Sequence, residues 1–292
     1  MFLLKKTLKK LSGKLIQFLR KNQRINALMY FYDSHGRFPN KNLRNIKFDD
    51  FLYYRKKELW DADLSQYTDK IRLKDYISNT VGREYCVPIQ GVYNCADDIN
   101  LENLSYPCVL KSNHACGHVI FLTSPNSLTP TVKSITNEWL KIDYFKVSSE
   151  PSYRNITPHL FIEDKLDIKK FEDYKFHCFS GNIRMIEVHI DRFSNNHSEC
   201  YYDTNWTKLP QIYSSIKYYT KDIPKPQKLD FACQLAKDLS KQFKYIRIDM
   251  FISNENIFIG EFTFFPANGT SPIVDKYNKW LLEYLTERND LI

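Results

Sequence analysis

The stretch from Arg247 to Pro266, RIDMFISNENIFIGEFTFFP, constrains this chain more than any other. Two apolar runs flank the polar tetrad Ser253–Asn256, which reads as strand, turn, strand. Side chains alternate along a strand, so Arg247, Asp249 and Phe251 share one face. On the second strand Glu261 and Thr263 share a face, opposed by Gly260, Phe262 and Phe264. A hairpin centred near Glu255 sets Asp249 across from Glu261 and Arg247 across from Thr263. Facing carboxylates in an apolar sheet repel. Either a one-residue slip turns Glu261 to the other face, or a divalent cation sits between the acids with Arg247 beside it to hold an anion. The hairpin alone leaves both readings open.

A chain of 292 residues can bury a large core, in one domain or in two or three subdomains. The seven cysteines, at 86, 95, 108, 116, 178, 200 and 233, are odd in number and form no CxxC pair. They read as reduced thiols of a cytoplasmic protein, neither a disulfide frame nor a zinc site.

The net charge of +8 comes entirely from one end. Lys5, Lys6, Lys9, Lys10, Lys14, Arg20, Lys21 and Arg24 precede the first acid, Asp33. Removing these eight from the 42 basic residues leaves 34, equal to the 34 acids. A neutral body argues against a nucleic-acid partner. Leu4, Leu8, Leu11, Leu15 and Leu19 recur at helical spacing among the lysines, in a segment too short in apolar sequence to span a bilayer. A basic amphipathic helix over 1–24 can lie on the inner face of an anionic membrane, or it can pack on the body with its lysines solvated.

The remainder is mixed. Residues 25–66 read as helical, with FDDFLYYRKKELW amphipathic. YTDKIRLKDYISNTVG (67–82) reads as one helix, and SITNEWLKIDYFK as another. EYCVPIQGVY, PHLFIEDKL and EDYKFHCFSGNIRMIEVHIDR are strand-like, the last with a hairpin at Ser180–Asn182. LDFACQLAKDLSKQF (229–243) is an amphipathic helix. In YPCVLKSNHACGHVIFL, Lys111 ends a strand and a small-residue loop through Ser112, His114 and Gly117 leads to the next. Loop amides and the ammonium suit nucleotide phosphates, although no GxxxxGK[ST] pattern is present. The His114-Ala-Cys116-Gly-His118 string lacks a fourth ligand at matched spacing and is a weak zinc signal.

Taken in order, DKIRLKDYI, YPCVLKSNHACGHVIF, FIEDKL, EDYKFHCFSG, IDR, YDTNW, RIDMF and GEFTFFP resemble the TupA-like branch of the ATP-grasp superfamily over about residues 45–275. The resemblance implies an α+β ATP-grasp fold, with two α+β subdomains gripping ATP behind a helical N-terminal region. The corresponding division is a basic helical region at 1–66, an N-terminal lobe at 67–105 and an ATP-grasp domain at 106–292, split near 165. By position it implies that Lys70 and Lys111 contact ATP phosphates, that Glu163 with the backbone from Asp164 to Leu166 holds adenine, and that Asp173 binds the ribose. Lys175 and Arg192 would face the polyphosphate or an acyl phosphate, with Arg247 beside them. Asp249 and Glu261 would bind Mg²⁺. Many ATP-grasp ligases have Asn where this chain has Thr263; members of the TupA type tend to have Thr there, whose hydroxyl ligates metal or orients water.

The activity implied is ATP-dependent ligation of a carboxylate to an amine or amino acid, on a uronic-acid carboxyl of a bacterial surface polysaccharide. The competing class is a polysaccharide-assembly protein, either a glycosyltransferase or a non-catalytic nucleotide binder. A sugar-nucleotide transferase calls for a DxD motif, and the one such string is Asp61-Ala62-Asp63.

Overall fold

A computed structural model of the chain describes residues 13–42, 45–167, 172–192, 194–214 and 216–287. The leucine-lysine pattern at 1–12 lies outside these residues. Gly13–Arg20 (α1) and Gln23–His35 (α2) are helical, as are Phe48–Glu58 (α3), Ser65–Thr68 (α4) and Arg72–Thr80 (α5). Later come Pro130–Trp139 (α6), Tyr144–Ser148 (α7), Leu229–Ser240 (α8) and Asp275–Glu287 (α9).

Two antiparallel sheets carry the fold. The first runs β1-β4-β2-β3, from Ile89–Tyr93 (β1), Cys108–Ser112 (β2), Val119–Leu122 (β3) and Leu160–Asp164 (β4). The second runs β10-β9-β5-β6-β7-β8, from Glu172–Phe179 (β5), Asn182–Ile190 (β6), Ser198–Tyr202 (β7), Lys208–Leu209 (β8), Ile246–Ile252 (β9) and Ile257–Thr263 (β10). Strand β1 thus joins the sheet of β2–β4, while α5 packs against the second sheet. Residues 67–105 contribute to both.

Each sheet has one apolar and one polar face, as the alternation requires. Cys108, Leu110, Leu122, Leu160 and Ile162 turn inward to a cluster with Ala96, Ile99 and Leu128. In the second sheet Tyr174, Phe176, Ile186, Val188, Ile248, Met250 and Phe262 lie against Leu229, Ala232, Leu235, Ala236 and Leu239 of α8 and Leu73 and Ile77 of α5. Burial of each such leucine contributes about 1.5–3 kcal/mol. The opposite face carries the charged residues. Its end near Phe179 and Met185 is closed by Phe48, Phe51 and Leu52 of α3 and Leu281 and Leu282 of α9.

Two expected helices are interrupted, and an aspartate does it each time. Asp69 accepts from the amides of Ile71 (2.8 Å) and Arg72 (3.3 Å), which splits 67–82 into α4 and α5. Asp143 caps α7 through the Lys146 amide (3.2 Å) and separates it from α6. Short polar side chains compete with the helix for backbone donors and favour such breaks.

The N-terminal helices are anchored to the body. Asn26 donates to Ser149 Oγ (2.8 Å), Tyr30 to the Val147 carbonyl (3.0 Å), and Arg24 pairs with Asp61 (2.9 Å). Helix α1 buries none of its residues, and Leu15 and Phe18 are exposed. Among the described residues no helix is long and apolar enough to cross a membrane.

Candidate active site

The hairpin pairs Ile257 with Ile252, Phe258 with Phe251 and Ile259 with Met250; the register then shifts, setting Glu261 opposite Asp249 and Thr263 opposite Arg247. Gly260 is the extra residue of a bulge. Had the turn-side register continued, Glu261 would lie opposite Ile248, on the apolar face. The bulge lets Ile257, Ile259, Phe262 and Phe264 all reach the core while Glu261 and Thr263 join Arg247 and Asp249 on the polar face. A side chain at 260 would crowd the chain, since a Cβ there meets Phe251 Cε2 at 3.1 Å.

A single cross-strand row runs Glu261, Asp249, Lys175, Glu187, Tyr201 through five strands. Arg247 donates to both Asp249 oxygens (2.7 Å each) and to Thr263 Oγ1 (3.2 Å), with Glu261 Oε1 at 3.7 Å. Lys175 donates to Asp249 Oδ2 (2.7 Å) and to Asp173 (3.0 Å). Arg192 also donates to Asp173. Burial opposes ionisation of Asp249, but Arg247 and Lys175 outweigh it and hold the carboxyl well below its usual range. The Asp249 side chain is 6% exposed, whereas that of Glu261 is 34% exposed. Glu261 is thus the solvent-facing half of the pair.

The first sheet and α5 together supply a second charged group. Lys111 and Lys74 both donate to Glu163, Lys74 at 2.9 Å. Burial works against the Glu163 anion, yet the two ammoniums keep its carboxyl below the ordinary range. Beside this charged trio, Val92, Val119 and Phe121 are each at least two-fifths exposed and share the face of Lys111, Val109 and Phe161. Asp164 Oδ1 accepts from Gln90 (2.7 Å), its amide donates to the Pro88 carbonyl, and half-buried Leu166 follows in the connection toward the second sheet.

The break at Asp69 places Lys70 between the sheets. Its amide donates to the Asn113 carbonyl (3.1 Å) and its ammonium to the Ala115 carbonyl (2.6 Å). Burial lowers the Lys70 ammonium from its usual range, against the attraction of Glu261. In the loop, Ser112 bonds His118 Nδ1 (2.8 Å), and His118 stacks on Trp139 at 4.6 Å. His114 turns to the Trp139 carbonyl (3.2 Å), lining a cavity of about 280 Å³ with Tyr144 and Tyr153. Gly117, at φ +78°, leaves open space where a Cβ would be.

Sequence reasoning gave no role to Lys74, which lies within the DKIRLKDYI stretch, or to Glu150. The latter is buried at the start of a short 3-10 turn, in electrostatic reach of Lys56, Glu261 and Arg247, and burial pushes its carboxyl up. The 61–63 pair, in contrast, serves local structure. Asp61 pairs with Arg24 and Arg154, and Asp63 accepts from the Ser65 amide (3.0 Å).

Two antiparallel α+β units, with Lys70 in electrostatic reach of Lys111 on one sheet and of Glu261 on the other, are the architecture of the ATP-grasp class of fold. The chain belongs to the TupA-like ATP-grasp family, whose family model matches residues 50–286. Among solved structures it is similar to D-alanine–D-alanine ligase from Bacillus anthracis complexed with ATP (16% identity, TM-score 0.46, 78% of this chain and 66% of that one). It is also similar to the Helicobacter pylori D-alanine–D-alanine ligase (14% identity, TM-score 0.40, 76% and 61%). A third is the L-amino acid ligase from Bacillus licheniformis (10% identity, TM-score 0.41, 70% and 42%). The chain therefore spans no more than 66% of the length of any of the three. No curated protein matches it.

Proposed function

We propose that this protein is an ATP- and Mg²⁺-dependent ligase that joins an amine or amino acid to a carboxylate through an acyl phosphate. The carboxylate proposed is that of a uronic acid in a bacterial surface polysaccharide, a choice that rests on the resemblance to the TupA branch. The observation that carries the ligase reading is the cross-strand pair Asp249–Glu261 with Arg247 bonded to Asp249, in electrostatic reach of Lys70.

The donor set fits a hard divalent cation. Asp249 and Glu261 offer only oxygen, and Glu261 keeps a solvent-facing carboxylate. These two residues would hold Mg²⁺, with the Thr263 hydroxyl beside them. Bound with ATP, the ion would supply positive charge against the phosphate oxygens. Lys70 and Lys111 would hold the phosphates in line. The apolar platform of Val92, Val119 and Phe121 would take the purine, with Glu163 alongside. Arg247 and Lys175 would stabilise charge developing on the transferred group. Glu150, a buried carboxylate with a raised pKa, would accept the proton released when the amine attacks. The α1 segment with the basic residues before it would keep the protein at the inner membrane surface.

A matrix of uronic acids against amino acids and amines, read by ADP release, tests the proposal. ADP release that requires both a carboxylate and an amine supports it. Turnover of a sugar nucleotide without ATP would replace it with the transferase reading.

A further inference from the structure

Beyond the nucleotide cluster, the polar face of the second sheet carries a second group of ligand-bearing side chains. His189 on β6 and Glu199 on β7 are cross-strand partners, and His197 lies just before β7. One donor atom from each of His189, His197 and Glu199 lies within 4.8 Å of the others. His189 Nδ1 faces His197 Nε2 at 2.9 Å, and Glu199 Oε1 is 3.4 Å from His189 Nε2 and 3.9 Å from His197 Nε2.

The independent observation is Glu199 itself. It is 1% exposed, and its Oε1 is buried with no hydrogen-bond partner, while Oε2 accepts from Tyr201 (2.9 Å). A buried carboxylate oxygen left unpaired costs on the order of 1–3 kcal/mol, and such groups call for an explanation. Glu187 bonds His189 Nε2 through one oxygen and His177 Nε2 (3.1 Å) through the other. A carboxylate on one ring nitrogen is how metal-ligating histidines are oriented, and the other nitrogen of His189, Nδ1, is in hydrogen-bond contact with His197 Nε2.

We propose that His189, His197 and Glu199 form a site for one divalent transition-metal ion, distinct from the Asp249–Glu261 pair, with Glu187 as the residue that positions His189. Two imidazoles and a carboxylate suit a borderline cation such as Zn²⁺ and are poor ligands for Mg²⁺. Donors on tetrahedral Zn²⁺ lie about 3.3 Å apart for bonds near 2.0 Å, against 2.9 Å from His189 Nδ1 to His197 Nε2 and 3.9 Å from Glu199 Oε1 to His197 Nε2. His197, with 29% of its side chain exposed, gives the ion a route from solvent. Arg192 lies in the connection between the two histidines and bonds Asp173, so an ion here would tie the catalytic-face segment to the sheet.

The test uses the full, untagged chain without nucleotide. It is stripped with chelator and titrated with Co²⁺, whose visible absorption reports four-coordinate nitrogen–oxygen sites, and then with Zn²⁺. The expected result is one Co²⁺ per chain, displaced by one Zn²⁺. Affinity should fall at least 100-fold in His197→Ala and Glu199→Gln and about 10- to 100-fold in Glu187→Gln, and remain unchanged in Glu261→Gln. His197 is partly exposed, so its variant covers the case in which Glu199→Gln fails to fold. A wild-type chain that takes up no Co²⁺ or Zn²⁺ overturns the proposal. So does a cobalt spectrum that persists in His197→Ala or disappears in Glu261→Gln. Because no ATP is present, neither result depends on the ligase reading.

Discussion

Glu261 lies opposite Asp249 because Gly260, one residue before it, stands outside the ladder. The bulge converts a hairpin whose turn-side register would send Glu261 into the core into one that places two carboxylates side by side. Mutual repulsion of the acids is offset in place by Arg247 and Lys175, which between them bond both oxygens of Asp249. The two acids are therefore unequal, one buried and compensated, the other open. The first two predictions depend on that inequality.

Glu261→Gln should keep the fold and reduce ATP turnover by at least about 10²-fold, the scale on which loss of one transition-state electrostatic contact is felt. Steady-state ADP release together with thermal melting checks this. Turnover at the wild-type rate in a folded variant would remove Glu261 from the metal site.

Asp249→Asn should reduce turnover as much and also destabilise the protein, by about 3–5 kcal/mol, because buried Arg247 loses both its short carboxylate bonds and Lys175 keeps only Asp173. Denaturant unfolding measures the difference. Equal stability of the two variants would contradict the burial argument.

Lys70→Ala and Lys111→Ala should each weaken nucleotide binding or slow turnover, but by different routes. Lys70 also ties the 113–118 loop through the Ala115 carbonyl, so its loss should loosen that loop. Lys111 shares Glu163 with Lys74, so Glu163 retains one ammonium when Lys111 is removed. Calorimetric ATP affinities for the two variants and for Lys74→Ala separate these roles. Unchanged affinity and turnover in all three would place the phosphates elsewhere.

Asp49 gives a pH prediction. Burial pushes its carboxyl up to about 7, with Asp50 adding to the effect and Arg37 opposing it. A raised carboxylate pKa means that between about pH 4 and 7 the folded state holds a proton the unfolded chain has lost, so stability falls as pH rises through that window and levels off above it. Asp49→Asn should match wild type near pH 4 and exceed it at pH 8 by on the order of 2–4 kcal/mol. Urea midpoints at the two pH values decide it. A variant no more stable than wild type at pH 8 would show that the ionised carboxylate is not strained there.

Much of the site was legible because its residues alternate with the core. The spacing of Arg247, Asp249, Glu261 and Thr263 already implied their pairing, although through a regular hairpin; the observed pairing needs the bulge, which no pattern of single residues announces. Lys111 was legible as a lysine closing a strand before a small-residue loop. Lys74 and Glu150 were not. One is a lysine on an amphipathic helix and the other an acid at a short turn, and their significance comes only from Glu163 and from Arg247 and Glu261, distant in sequence. The broken helices escaped periodicity because Asp69 and Asp143 act through side-chain bonds to the backbone. For the leucine-lysine segment, Leu15 and Phe18 are exposed among the described residues, which leaves membrane attachment as part of the proposed function.

The most direct test of the ligase account follows one oxygen atom. A uronic acid labelled with ¹⁸O in its carboxyl group is incubated with ATP, Mg²⁺, an amino-acid mixture and the full chain, and the released phosphate is analysed by mass spectrometry. Transfer of the phosphoryl group to the carboxylate, followed by amine attack, predicts one ¹⁸O in each phosphate released and none in the ADP. ADP formation with unlabelled phosphate would contradict the acyl phosphate and, with it, the role assigned to the cluster around Asp249 and Glu261.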